Sequence, residues 1–119
     1  MKRFLLVLVL ALIMFGVGCK TTEENGAVSL DLTGTRWLYI DSNKSYDLEF
    51  RAGGILYTYN PADTTHSNDF WSQNGNMVQW TFNNAYVTYN GTLNATGTYM
   101  AGTALNILSV SWSWTATKY

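Results

Sequence analysis

The stretch LSVSWSWTATK, residues 108–118, alternates without a break: Val110, Trp112, Trp114 and Ala116 fall on one parity, Ser109, Ser111, Ser113, Thr115 and Thr117 on the other. Successive side chains of a β-strand point to opposite faces, so this is a strand with one apolar and one hydroxyl-bearing face. A helix would set Trp112 and Trp114 on different sides. The length and two-sided pattern suit a strand paired along both edges. The same period runs back through the chain. SYDLEFR, residues 45–51, sets Tyr46, Leu48 and Phe50 against Asp47, Glu49 and Arg51, which separates inside from outside by charge. Further strands are expected over 36–41, 55–60, 70–73, 76–82, 85–93 and 98–104. No window shows a helical period. The breaks between runs carry turn chemistry: Ala52-Gly53-Gly54, Asn74-Gly75, Asn83-Asn84 and residues 94–97. The longest break, PADTTHSND over 61–69, holds the only proline and the only histidine.

Eight short sequential strands leave two open edges unless the first pairs with the last. The expected fold class is therefore all-β, an eight-stranded antiparallel up-and-down barrel, with a β-sandwich as the alternative. Parity assigns the interior: Trp37 and Tyr39, then Tyr46, Leu48 and Phe50, then Ile55, Tyr57 and Tyr59, then Trp71. Val78, Trp80 and Phe82 follow, then Val87, Tyr89 and Leu93, then Met100, and last Val110, Trp112 and Trp114. A barrel of this size is just wide enough to be filled by side chains or to hold one small ligand. Gly91, Gly102, Ala104 and Ala116 thin one sector of the wall. Opposite it, Tyr57, Tyr59 and Trp71, together with Trp112, are the candidate ligand-binding residues, with hydroxyl and indole groups to orient a small apolar or aromatic molecule. The plainer reading is that these aromatics are core, large facing small as packing requires.

Charge and composition narrow the function further. A chain of 119 residues has room for one domain, and 7 Lys+Arg against 8 Asp+Glu offers no basic patch for nucleic acid. One cysteine excludes an internal disulfide, and with one histidine it excludes Cys/His zinc frameworks. P-loop, dinucleotide and nucleophile-elbow motifs are missing. Asp63, His66 and Asp69 are the one cluster that could bind a metal or act as acid and base. Loop-borne polar residues are ordinarily just solvated, so no catalytic residue, no metal and no cofactor is expected.

The N-terminus carries an address. Lys2 and Arg3 precede an unbroken apolar run, FLLVLVLALIMF over 4–15, which is too short for the roughly 20 residues of a membrane span. Gly16, Val17, Gly18 and Cys19 follow. This segment resembles the signal peptide of bacterial lipoprotein precursors, whose lipobox ends in a cysteine that becomes the lipid-modified mature N-terminus. The resemblance implies lipidation at Cys19 and a membrane partner through the anchor. With Lys20 rather than Asp after the cysteine, it implies, in an organism with two membranes, the outer membrane of the cell envelope. Loss of Lys2 and Arg3 with the signal leaves five basic against eight acidic residues. Residues 20–33 are expected to be a flexible tether, polar through KTTEENGAVS, and residues 34–119 the barrel domain.

Thr33-Gly34-Thr35-Arg36-Trp37 places a glycine shortly before a tryptophan at the start of the first strand. This resembles the lipocalin and avidin superfamily, the calycins, although two residues rather than one separate Gly34 from Trp37. LEFRAGG over 48–54, the turn over 71–75 and WSWTAT over 112–117 are similar to small bacterial lipocalin-like lipoproteins. The resemblance implies that Trp37 closes one end of the barrel and that a late cation, Lys118, packs across it. Two functions from different classes follow: carriage of a small apolar ligand, or a non-catalytic envelope module that docks a protein partner through surface residues such as Phe70 and Tyr86.

Overall fold

Each alternating run forms a strand, and the strands close into a ring. The structure, a computed structural model, describes residues 30–119; the expected signal with Cys19, and the expected tether up to residue 29, lie outside the described residues. The strands are β1 (Thr35–Asp41), β2 (Ser45–Arg51), β3 (Ile55–Thr58), β4 (Phe70–Asn74), β5 (Met77–Phe82), β6 (Val87–Leu93), β7 (Tyr99–Asn106) and β8 (Ser111–Lys118), with one 3₁₀ turn at Ala52–Gly54. Every strand pairs antiparallel with its sequence neighbours, and β1 also pairs with β8, from Trp37↔Lys118 to Asp41↔Trp114. The molecule is a closed, eight-stranded up-and-down barrel, consistent with a lipocalin-like fold. The pairing of β1 with β8 decides against the sandwich.

The interior follows parity on most strands. Trp37, Tyr39, Leu48, Phe50, Trp80, Leu93, Met100, Trp114 and Ala116 are buried, each large apolar side chain contributing about 1.5–3 kcal/mol. The thin sector of the wall is not a void. The Trp114 ring lies over Gly91, where a Cβ would stand 2.7 Å from its Cζ2. Large faces small, and the space is used. The indole N–H groups of Trp80 and Trp114 find no acceptor among the described residues, although their rings pack 4.6 Å apart.

Strand β3 corrects the reading of the interior. Leu56 and Thr58 point inward, essentially inaccessible, whereas Ile55 and Tyr59 are exposed and Tyr57 is half-exposed. The three-residue turn at Ala52–Gly54 pairs Arg51 with Ile55 and Glu49 with Tyr57. Cross-strand partners share a face, so the outward Glu49 and Arg51 carry Ile55 and Tyr57 outward with them. Val110 is likewise exposed, because Ser109 adopts φ 63° and β8 starts only at Ser111. Asn83, Asn84 and Ala85 all take positive φ, so β6 starts at Val87 rather than 85.

Connections after odd-numbered strands share one end of an up-and-down barrel; the remaining turns share the other end with the chain's entry and exit. At this second end Leu32, expected in the tether, is only 2% exposed and belongs to the core. Gln73 holds it there: its Oε1 accepts the Leu32 N–H at 3.1 Å and its Nε2 donates to the Leu30 carbonyl. Thr35 Oγ1 donates to the Leu32 carbonyl at 2.6 Å and accepts the Trp37 indole N–H at 2.8 Å. Gly34, at φ 80°, turns the chain so that its N–H reaches the Phe50 carbonyl at 2.6 Å. This end is closed.

Candidate functional site

The other end is open. Four connections surround it: residues 42–44, 59–69, 83–86 and 107–110. Between them lies a cavity of about 590 Å³ walled by Tyr46, Phe82, Tyr86, Val87, Tyr89 and Trp112, with Asp41, Lys44, Asn60, Asp63 and Asn106 among its polar lining. That volume falls within the range of small-molecule sites, about 300–1,000 Å³.

Hydrogen bonding to loops and strands fixes this wall. Asp41 Oδ1 accepts the N–H groups of Asn43 and Lys44, both at 2.8 Å, closing the β1–β2 turn. Its Oδ2 accepts the Tyr39 hydroxyl at 2.7 Å, and Tyr39 in turn accepts the Trp112 indole N–H at 3.0 Å. The chain Trp112, Tyr39, Asp41 therefore sets the indole against the cavity with its polar atom occupied and its ring face available. Tyr46 stacks on Tyr39 at 4.7 Å, and Tyr89 meets Trp112 edge to face at 5.9 Å. Burial raises the phenol pKa of Tyr46 far above its ordinary value. Burial does the same for Tyr39, aided by the Asp41 carboxylate, and pushes Tyr89 up to about 12. These phenols stay neutral donors and acceptors. On the far side, Asn106 Oδ1 accepts the N–H groups of Leu108 and Val110 at 2.9 and 3.0 Å and so shapes the β7–β8 rim.

The four candidate ligand-binding residues separate. Trp112 lines the mouth cavity. Trp71 lines a shallower depression of about 500 Å³ at the closed end, beside Leu30, Gly54 and Gln73, and its indole N–H is taken by the Arg51 carbonyl at 2.8 Å. Tyr57 and Tyr59 lie outside the barrel on β3 and its extension, where Arg51 and Arg36 stack on their rings, each 4.2 Å from the centroid. Tyr59 donates its hydroxyl to Glu49 at 2.6 Å, and Arg36 pairs with Asp47 at 2.8 Å. The candidate end-closing pair also separates in character: Trp37 is wholly buried, while Lys118, though opposite it in register, is exposed. The cations that stack on rings among the described residues are Arg36 and Arg51, not Lys118. The mouth residues Tyr46, Phe82, Val87 and Tyr89 stood among the expected interior residues. Their place beside the odd-numbered turns is the signal that groups them.

The loop cluster departs from a solvated surface. Asp63, His66 and Asp69 each bring one ligating atom within 4.8 Å of the others. Asp69 is inaccessible: its backbone carbonyl accepts the Leu56 N–H at 3.2 Å and its Oδ1 accepts the Asn83 N–H at 3.0 Å, tying the loop to β3 and to the β5–β6 turn. Burial pushes its carboxyl up to about 6, with the Asp63 carboxylate adding to the rise and the Asn83 N–H opposing it. His66 stacks on Tyr57, ring centroids 4.0 Å apart. Comparison of the chain with protein-family models, with curated proteins and with solved structures finds no match to any of them.

Proposed function

We propose that the protein is a lipid-anchored barrel of the cell envelope, lipocalin-like and non-catalytic, that binds one small planar apolar ligand in its mouth. The observation that supports ligand carriage is the cavity of about 590 Å³ walled by Tyr46, Phe82, Tyr89 and Trp112. Aromatic faces select a flat apolar body; Asp41, Lys44, Asn60 and Asn106 suit a polar group at its outer end. Anchoring rests on residues 1–19 and Cys19. The described chain enters at the closed end, opposite the mouth.

Two experiments test the two halves. Titration with N-phenyl-1-naphthylamine, a neutral planar dye, should saturate at one site per chain, and Val87→Trp should weaken it about tenfold or more by occupying the cavity. A dye signal that never saturates contradicts the ligand half. Cys19→Ser should move the protein from the membrane to the soluble fraction; sedimentation with membranes contradicts the anchor.

The β7–β8 tip favours a second reading. Ile107, Leu108 and Val110 are 67%, 69% and 54% exposed at the rim of the mouth. Apolar side chains grouped on a loop suit a protein contact surface. Recovery of one stoichiometric envelope protein that is lost with Leu108→Asp would favour docking over carriage.

A further inference from the structure

The β3–β4 loop carries the chain's one histidine between two aspartates, and the fold gathers all three. The two ion pairs among the described residues engage Asp47 and Glu49, not these carboxylates. Asp69 is 0% exposed. Its Oδ1 is taken by the Asn83 N–H, and the Asn68 amide, turned so that its nitrogen faces its two acceptors, adds a second donor at 3.2 Å. Its Oδ2 has no partner among the described residues. His66 Nδ1 is likewise enclosed and without a partner. Asp63 accepts the Thr58 hydroxyl on Oδ2 at 3.0 Å and the Thr65 N–H on Oδ1 at 3.3 Å, which leaves lone pairs on both oxygens. An orphaned buried carboxylate oxygen beside a second carboxylate is costly unless a positive charge bridges them.

We propose that Asp63, His66 and Asp69 form a binding site for a divalent transition-metal ion of the zinc type. The donor set selects the metal: magnesium and calcium take oxygen ligands, whereas an imidazole with carboxylates suits zinc and its neighbours. Three protein ligands leave one position of a tetrahedral ion for water or for another molecule. Asp63 also lines the mouth cavity, so the ion belongs to the cavity wall. Its ligands lie on the loop that joins the most thinly paired strands of the barrel, β3 and β4, which pair only at Ile55↔Phe70. An ion that binds the folded loop and not the unfolded chain stabilises the fold by mass action. The site stands whether or not the mouth carries a ligand.

The test uses the full untagged chain stripped of metal, with Zn²⁺ alone as the probe. With one histidine in the chain, the imidazole proton resonances belong to His66 without ambiguity. One equivalent of Zn²⁺ should shift them saturably and raise Tm. His66→Ala should abolish the rise in Tm, and Asp69→Asn should weaken binding tenfold or more. If Asp69→Asn does not fold, Asp63→Asn, at a partly exposed position, serves in its place and should weaken binding likewise. Imidazole signals unmoved by excess Zn²⁺, or a rise in Tm retained by His66→Ala, overturn the proposal.

Discussion

Gly102 and Tyr39 show how single positions hold this barrel. Gly102 faces Gly91 across β6 and β7, and a Cβ there would overlap the Asn90 carbonyl oxygen and stand 2.6 Å from the Gly91 Cα. Both obstacles are backbone, which cannot rotate away, so the strands must part. Gly102→Ala should cost about 3 kcal/mol in urea unfolding, the upper end of overpacking. Gly91→Ala meets the Trp114 ring, a side chain able to shift, and should cost less; equal costs would contradict the difference drawn between them. At Tyr39, Tyr46 and Tyr89 the folded phenols ionise above their ordinary value because burial disfavours the phenolate. In the unfolded chain they ionise near pH 10. The unfolded state therefore binds fewer protons than the folded one above that pH, so stability is full below about pH 10 and falls as pH rises beyond it. Phenolate absorbance should rise in two stages, exposed tyrosines first and these three together with loss of structure. A single smooth titration of all eight tyrosines would contradict this.

At the scale of elements, β3 separates what the sequence makes legible from what it does not. Strand β2 declares its faces through charge, Asp47 and Glu49 against Leu48 and Phe50, and β8 through its serines and threonines. ILYTYN over 55–60 offers apolar or aromatic residues on both parities, so alternation alone cannot choose a face. The choice is made by the turn: three residues at Ala52–Gly54 place Ile55 opposite Arg51. Turn length was readable; which turn residues complete the ladder was not. Tyr57 and Tyr59 thus build an outer belt with Arg51 and Arg36 instead of lining the interior. Tyr57→Ala and Tyr59→Ala should leave affinity for N-phenyl-1-naphthylamine unchanged, whereas Trp112→Leu should weaken it several-fold. Loss of dye binding in either tyrosine variant would return the site to the face that the alternation suggested.

For the whole molecule, eight sequential strands favoured a barrel over a sandwich because closure removes open edges, but alternation does not show that the last strand reaches the first; the pairing of Tyr39 with Ala116 decides it. The two ends were not. Which end is sealed depends on Leu32 and Gln73 meeting across 41 residues of sequence, and no local pattern encodes that meeting. Nor does spacing show that Asp69 is buried, since that follows from its backbone pairing to Leu56 and its side-chain bond to Asn83. With Trp37 buried and tied through Thr35 to Leu32 at the closed end, and Trp112 lining the open one, the same side-chain type reports from both. Nitrogen-labelled indoles of the five tryptophans therefore give the most direct measurement, followed by NMR as N-phenyl-1-naphthylamine is added to the full chain. Ligand carriage in the mouth predicts that the Trp112 indole resonance moves saturably while that of Trp37 stays in place. Five unmoved resonances, or a Trp37 that moves while Trp112 does not, would contradict it.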